Sequence, residues 1–357
     1  MTLTQRLGLE HPIVQAPMAG GASTPRLAAA ASNAGALGSL GVGYLGPEQI
    51  RTTIAETRLL TSRPFAVNLF VGQFASATEQ QILDAQRLLA PYREELGLPV
   101  NVAAPTVFAE DLEAQLAAVF DARPSVLSFT FGIPEAAALR ECRRRGIVTI
   151  GTATNLAEAL ELEAVDVDAI CVQGIEAGGH YGSFLGSSDH ESTGLVTLLP
   201  RIAARVRTPL IAAGGLMNGQ SIAAVLALGA QAAQLGTAFL LCPESGISAA
   251  YRLAVANPSL AVETACTSAF SGRRARGIVN RFMLEMAPHA STLPPYPVMN
   301  ALTRDIRAKA AASERAEFLS LWAGQGAEFA RNLPASELIA QLVAELRSCV
   351  EKLARIP

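Results

Sequence analysis

One of only four histidines in the chain, His180, lies in the stretch CVQGIEAGGHYGSF (Cys171–Phe184). There an apolar run stops at glycine, an acid follows, and two more glycines present the imidazole. A histidine set in such a turn can take or give a proton near neutral pH. Glycines also close two later apolar runs, as Gly214-Gly215 in PLIAAGG and Gly236-Thr237 in AAQLGTA. Backbone without a Cβ can approach a ligand closely, and its N–H groups can hold a phosphate. The only lysines, Lys309 and Lys352, stand far from these runs. A phosphate would therefore be bound mainly by main chain, and Schiff-base chemistry, which needs a lysine at a strand end, is excluded. Four amides interrupt otherwise apolar runs: Gln15 in PIVQAPM, Asn68 in FAVNLFV, Gln173 in ICVQG and Gln234 in AAQLGT. Each alone could tie strands together, because a buried amide needs partners. Four together point to a flat heteroaromatic ligand rich in carbonyl and N–H groups. A flavin ring fits, with its phosphate reaching the two glycine turns.

The elements that must position these groups can be read from the alternation of short apolar runs with longer amphipathic segments. Strands are expected over 12–18, 36–41, 65–71, 125–131, 147–152, 168–174, 209–215 and 232–238. Between them lie helix signatures such as TPRLAAAASNAG, with Thr and Pro at its start, and NLAEALELEAV, with an asparagine cap. Eight strands separated by helices imply a parallel sheet with crossover helices, and eight such units suggest an α/β fold closed as a (β/α)₈ TIM barrel. A doubly wound open sheet is the alternative, since pattern alone does not show closure. In such barrels ligands gather at the C-terminal ends of the strands. His180 follows the sixth strand and the glycine turns follow the seventh and eighth, so all three share one face. Residues 72–124 are long enough for two helices. From 244 to 334 the rhythm breaks, which reads as a helical substrate domain inserted after strand 8 above the catalytic face. The amphipathic segment PASELIAQLVAELRSCVEKLARI then supplies the last barrel helix, giving a barrel of 1–243 plus 335–357.

Composition narrows the function classes. Half the residues are hydrophobic and 17% are charged, enough for a large core. A net charge of -3 without a basic stripe argues against nucleic acid, and Arg143-Arg144-Arg145 suits a helix C-terminus. Five scattered cysteines with no CxxC pair argue against zinc or a disulfide framework and suit a reducing cytoplasm. The uncharged run Ile222–Cys242 has the length of a membrane span but carries Gln231, Gln234 and two glycines. It reads as a helix followed by a buried strand, so no membrane partner is expected. GVGYLG (Gly41–Gly46) matches a dinucleotide fingerprint, yet no acid stands about 20 residues on, and it reads as a barrel turn. The other histidines look ordinary: His11 precedes strand 1, His190 sits in SSDHEST, and His289 follows a proline.

The segments PIVQAPM, FAVNLFV, VQGIEAGGHYGSF, IAAGGLMNG and AQLGTAFLLCPES resemble those of nitronate monooxygenases, formerly called 2-nitropropane dioxygenases. NLFV, AGGHYGSF, SGRRARG and WAGQGAEFARNLP resemble class I of that family, and the likeness runs from about residue 5 to 345. EAGGH alone is shared with FMN-dependent enoyl-ACP reductases and quinone reductases. The resemblance implies a TIM barrel, FMN and an inserted helical domain. It places FMN contacts on Ala16, Pro17, Met18, Asn68, Gln173 and Gly178, and phosphate contacts on Gly214, Gly215, Gln234, Leu235, Gly236 and Thr237. It makes His180 the active-site histidine and sets Thr130 and Tyr296 at the substrate mouth. There the chain departs from a member of the family: Thr130 replaces a histidine, and Asn300 and Arg304 replace a tyrosine and a lysine. The implied reaction oxidises an alkyl nitronate, propionate 3-nitronate foremost, with O₂ to an oxo compound plus nitrite and nitrate.

Other readings share the barrel. An NAD(P)H-dependent FMN reductase acting on enoyl thioesters or quinones would use the same cofactor. An inosinate-dehydrogenase type needs a cysteine after the sixth strand, and residues 174–194 contain none. A non-enzymatic phosphate-binding scaffold is a third possibility. A monomer or homodimer fits any of them.

Overall fold

Eleven strands organise the chain: β1 (Ile13–Gln15), β2 (Gly38–Gly41), β3 (Phe65–Phe70), β4 (Val126–Thr130), β5 (Val148–Ala153), β6 (Ala169–Gln173), β7 (Gly179–His180), β8 (Leu210–Ala213), β9 (Ala232–Leu235), β10 (Thr264–Thr267) and β11 (Ala275–Ile278). They are seen in a computed structural model that describes residues 2–186 and 193–355. Eight of them form one parallel sheet in the order β1-β9-β8-β6-β5-β4-β3-β2. A parallel bridge from Val14 to Leu37, with hydrogen bonds of 2.9 Å from Leu37 N to Ile13 O and from Gln15 N to Leu37 O, joins β1 to the start of β2. The sheet thus curls into the expected (β/α)₈ barrel. The eight strands fall within one to three residues of the ranges read from the sequence, because each apolar run is buried on both faces.

Local chemistry starts the helices where the sequence signals them. Thr24 accepts from Leu27 N at 3.0 Å ahead of helix Pro25–Asn33, and Asn155 accepts from Glu158 N at 2.9 Å ahead of Leu156–Ala164. The uncharged run at 222–242 divides between helix Gly219–Ala227 and β9. No helix among the described residues is long and apolar enough to cross a membrane.

Three apolar clusters hold the molecule. Inside the barrel, Val14, Val126, Val148, Cys171 and Ile211 pack together, and Leu3 and Leu7 of the first helix close the end away from the strand C-termini. Outside it, the strands' outward residues pack against the helix ring, joined by Leu338, Ile339 and Leu342 of the terminal helix Ala335–Leu353. Above the strand C-termini lies the third cluster, with Phe270, Phe282, Met299, Ile306 and Phe318. Leu89 and Tyr92 of helix Glu79–Glu95, in the crossover from β3 to β4, belong to it as well. Arg93 ties this helix down: only 2% exposed, it grips Asp305 through two 3.1 Å bonds and donates to Leu302 O at 2.8 Å. The upper layer also contains strands. β10, β11 and β7 form an antiparallel sheet in which Ala275 faces His180 and Arg276 faces Gly179.

Candidate active site

A cavity of about 460 Å³ opens at the C-terminal ends of the barrel strands, beneath the upper layer. Its wall includes Ala16, Pro17 and Met18 after β1, Asn68 on β3, Thr130 on β4, Gln173 on β6, and Gly178 and His180 beyond it. Gly214, Gly215, Gln234, Leu235, Gly236 and Thr237 form another part of the wall. Tyr296 stands just behind, its ring centroid 5.7 Å from that of His180.

The glycine side is built from main chain. Gly214 and Gly215 have φ of 126° and 68°, a region that L side chains rarely adopt. The N–H groups of Gly215 and Gly236 have no acceptor among the described residues. A Cβ added at Gly236 would sit 3.4 Å from Ala16 Cβ and 3.8 Å from Met18 Sδ, both wall residues, so it would take up cradle space without striking backbone. Among the described residues no carboxylate or lysine lines the cavity. This is a fit for a phosphate held by peptide dipoles. Gly178 is needed for another reason: a Cβ there would fall 2.5 Å from Ala323 C and Gly324 N, where the chain from the upper layer passes.

The expectation of four ligand-facing amides holds for three at most. Gln15 is fully buried and absent from the wall, with its Oε1 accepting from Ser39 N at 2.9 Å, so it ties β1 to β2. Asn68 donates to Ser128 Oγ at 3.0 Å. Gln173 spans the turn that bears the histidine, accepting from Gly182 N at 2.7 Å and donating to His180 O at 3.1 Å.

His180 is not in the open surroundings that its glycine neighbours suggest. Long-range contacts bring Phe131, Trp322 and Tyr296 rings to 5.7 Å and Phe70 to 6.4 Å. Its Nε2 lies 2.8 Å from Ser271 Oγ, and the Ser271 hydroxyl donates to Arg273 O at 3.0 Å. With that single hydroxyl proton committed, Nε2–H is the donor to Ser271, which leaves Nδ1 with a lone pair. Burial, aided by the charges of Arg273 and Arg307, pushes the imidazole pKa down to about 3, so the ring is neutral at pH 7. The Cys171 thiol in the same wall is pushed up to about 12 by burial and stays protonated.

A family model described as nitronate monooxygenase matches residues 2–345. The chain belongs to that family. It is 44% identical over 353 residues to a nitronate monooxygenase of Paraburkholderia phytofirmans, covering 97% of this chain and 95% of that one. It is also 44% identical over 350 residues to a nitronate monooxygenase of Pseudomonas aeruginosa, covering 96% and 98%. Among solved structures, a nitroalkane oxidase from Streptomyces ansochromogenes superposes with a TM-score of 0.92 at 42% identity, over 98% of this chain and 99% of that one. FabK from Thermotoga maritima follows at 0.77 and 27%, over 99% and 97%. As a nitronate monooxygenase family member the chain is an oxidoreductase, and nitronates are its substrate class.

Against that family background, several wall residues escape sequence reading. Tyr44 comes from the GVGYLG turn, where Gly43 lies against the Phe70 ring. Phe131, at φ 77°, carries the Arg273 guanidinium 4.1 Å above its ring. Trp322 and Tyr251 come from the upper layer, and Tyr251 donates to Trp322 O. The departures at 300 and 304 act differently from their expected place at the mouth. Asn300 is buried and Arg304 exposed, and neither lines the cavity. Arg307 does, and Asn300 holds it. The signal was the spacing of seven, two helical turns, between them. His190 lies outside the described residues.

Proposed function

We propose that this protein is an FMN-dependent nitronate monooxygenase. It oxidises alkyl nitronates, propionate 3-nitronate foremost, with O₂ to an oxo compound (malonate semialdehyde for that substrate) plus nitrite and nitrate. The observation that carries this reading is one cavity whose wall joins glycine main-chain N–H groups to a desolvated imidazole whose Nδ1 has no partner among the described residues. Gly214, Gly215, Gln234, Leu235, Gly236 and Thr237 would hold the phosphate of FMN, and Ala16, Pro17, Met18, Asn68, Gln173 and Gly178 its ring system. Bound FMN supplies the electron acceptor that a nitronate, already a carbanion equivalent, requires.

The chain's own groups do the rest. The rings of Phe70, Phe131 and Trp322 keep water from His180. Ser271 fixes the tautomer, so Nδ1 can accept a proton from the α-carbon of a neutral nitroalkane. A preformed nitronate has no such proton to lose. Tyr296 steers His180 from behind, and Thr130 sits in the wall near Asn68. Five free thiols suit a reducing cytoplasm.

The similarity to FabK favours a second reading, an NAD(P)H-dependent FMN reductase of the enoyl-ACP reductase or quinone reductase type. One anaerobic experiment separates them. The flavin absorbance of the purified protein is followed after mixing with NADH and, separately, with propionate 3-nitronate, and oxygen uptake is then recorded with each. Bleaching by the nitronate with oxygen consumption is expected; rapid bleaching by NADH alone, with an inert nitronate, overturns the assignment.

A further inference from the structure

Arg307 is a cation without an ion-pair partner among the described residues. It follows Asn300 and Thr303 in a segment that closes the cavity from above, and among the described residues it is the only lysine or arginine in the wall. Its Nη2 donates to both Asn300 O and Asn300 Oδ1 at 2.8 Å, and its Nε donates to Thr303 O at 3.3 Å. Those bonds fix the plane of the guanidinium and use Nε and Nη2. Nη1 has no partner among the described residues. The carboxylate next along the helix, Asp305, is already gripped by Arg93. Arg307 makes no ion pair among the described residues, although it is partly buried. A desolvated cation is costly unless an anion meets it, and Arg binds carboxylates through paired N–H groups. His180 does not supply that anion: with one N–H and one lone pair its ring carries no charge.

We propose that Arg307, oriented by Asn300, is the specificity residue that binds a carboxylate carried by the substrate at the end remote from the nitronate. The inference rests on the nitronate reading and deepens it. A substrate bearing two anionic ends is held across the cavity, one end at Arg307, while a plain alkyl nitronate leaves the guanidinium unmatched. Asn300, which stands where a member of the family has tyrosine, thereby gains a role: its side-chain oxygen locks the arginine in place.

The test uses the flavin-loaded protein and two length-matched pairs of probes. Succinate and butyrate, an unreactive dianion and monoanion, are titrated by calorimetry; propionate 3-nitronate and propyl-1-nitronate are compared in turnover. The parent should bind succinate about tenfold or more tighter than butyrate. Arg307→Met and Arg307→Gln should abolish that preference and raise KM for propionate 3-nitronate about 10- to 100-fold. The KM for propyl-1-nitronate and both kcat values should stay within about threefold. Arg307→Lys, which keeps the charge but not the fork, should fall between. Flavin content should be unchanged. The proposal is overturned if the parent shows no succinate preference, if the neutral variants keep it, or if they lose flavin, which would assign Arg307 to the cofactor. Should the parent oxidise neither nitronate while the succinate preference persists and vanishes in Arg307→Met, the anion site stands and the nitronate reading falls.

Discussion

The cavity has two unlike sides. The glycine side is made of peptide groups from two short turns, one after β8 and one after β9. The imidazole side gathers Tyr44, Phe70, Phe131, His180, Ser271, Arg307 and Trp322 from segments far apart in the chain. The first needs small residues at strand ends. The second depends on the upper layer being in register with the barrel, so a shift in either moves the chemistry.

That contrast can be attacked directly. His180→Asn strikes the imidazole side and should cut oxygen uptake with neutral nitroalkanes by about 100-fold or more while flavin content is kept. Parent-like turnover would remove His180 from the chemistry. Ser271→Ala, which frees Nε2, should cost less, about tenfold. Gly236→Val strikes the glycine side instead. Its branched side chain enters the cradle, so flavin per mole of protein should drop about tenfold after dialysis with the thermal midpoint of the apoprotein little changed. Full retention would move the phosphate elsewhere.

A smaller effect tests desolvation. The folded pKa of His180, about 3, lies below its ordinary 6.5. Between these values the unfolded chain binds a proton that the folded one refuses, so this group's contribution is complete above pH 6.5 and is lost as pH falls toward 3. The slope is about 1.4 kcal/mol per pH unit at most. Urea unfolding at pH 7 and pH 5 should show the parent losing more stability than His180→Asn. Parallel losses would mean that the ring is wetted.

The same division explains what the sequence revealed. The eight barrel strands were legible because burial on both faces leaves an unbroken apolar run, and the two caps at Thr24 and Asn155 because capping is local. The glycine turns after β8 and β9 were legible because a glycine that ends an apolar run is also a local signal. Gln15 misled, since an amide on a strand looks alike whether it faces a ligand or the next strand's N–H. The aromatic enclosure of His180 was hidden, because nothing near residue 180 encodes the approach of residues 296 and 322. β7 was missed too: two residues have no periodicity, and their pairing partner lies in β11, almost a hundred positions on.

That short pairing has a mechanical consequence. The main chain of His180 is stitched to Ala275, and Tyr181 N donates to Arg274 O at 2.9 Å. The upper layer and the backbone of His180 are therefore joined directly. Were the roof to swing aside as a rigid door, it would carry the imidazole off the barrel and dismantle the site with each opening. Holding the imidazole in place and holding the upper layer on the barrel are thus one and the same task, carried by a two-residue strand.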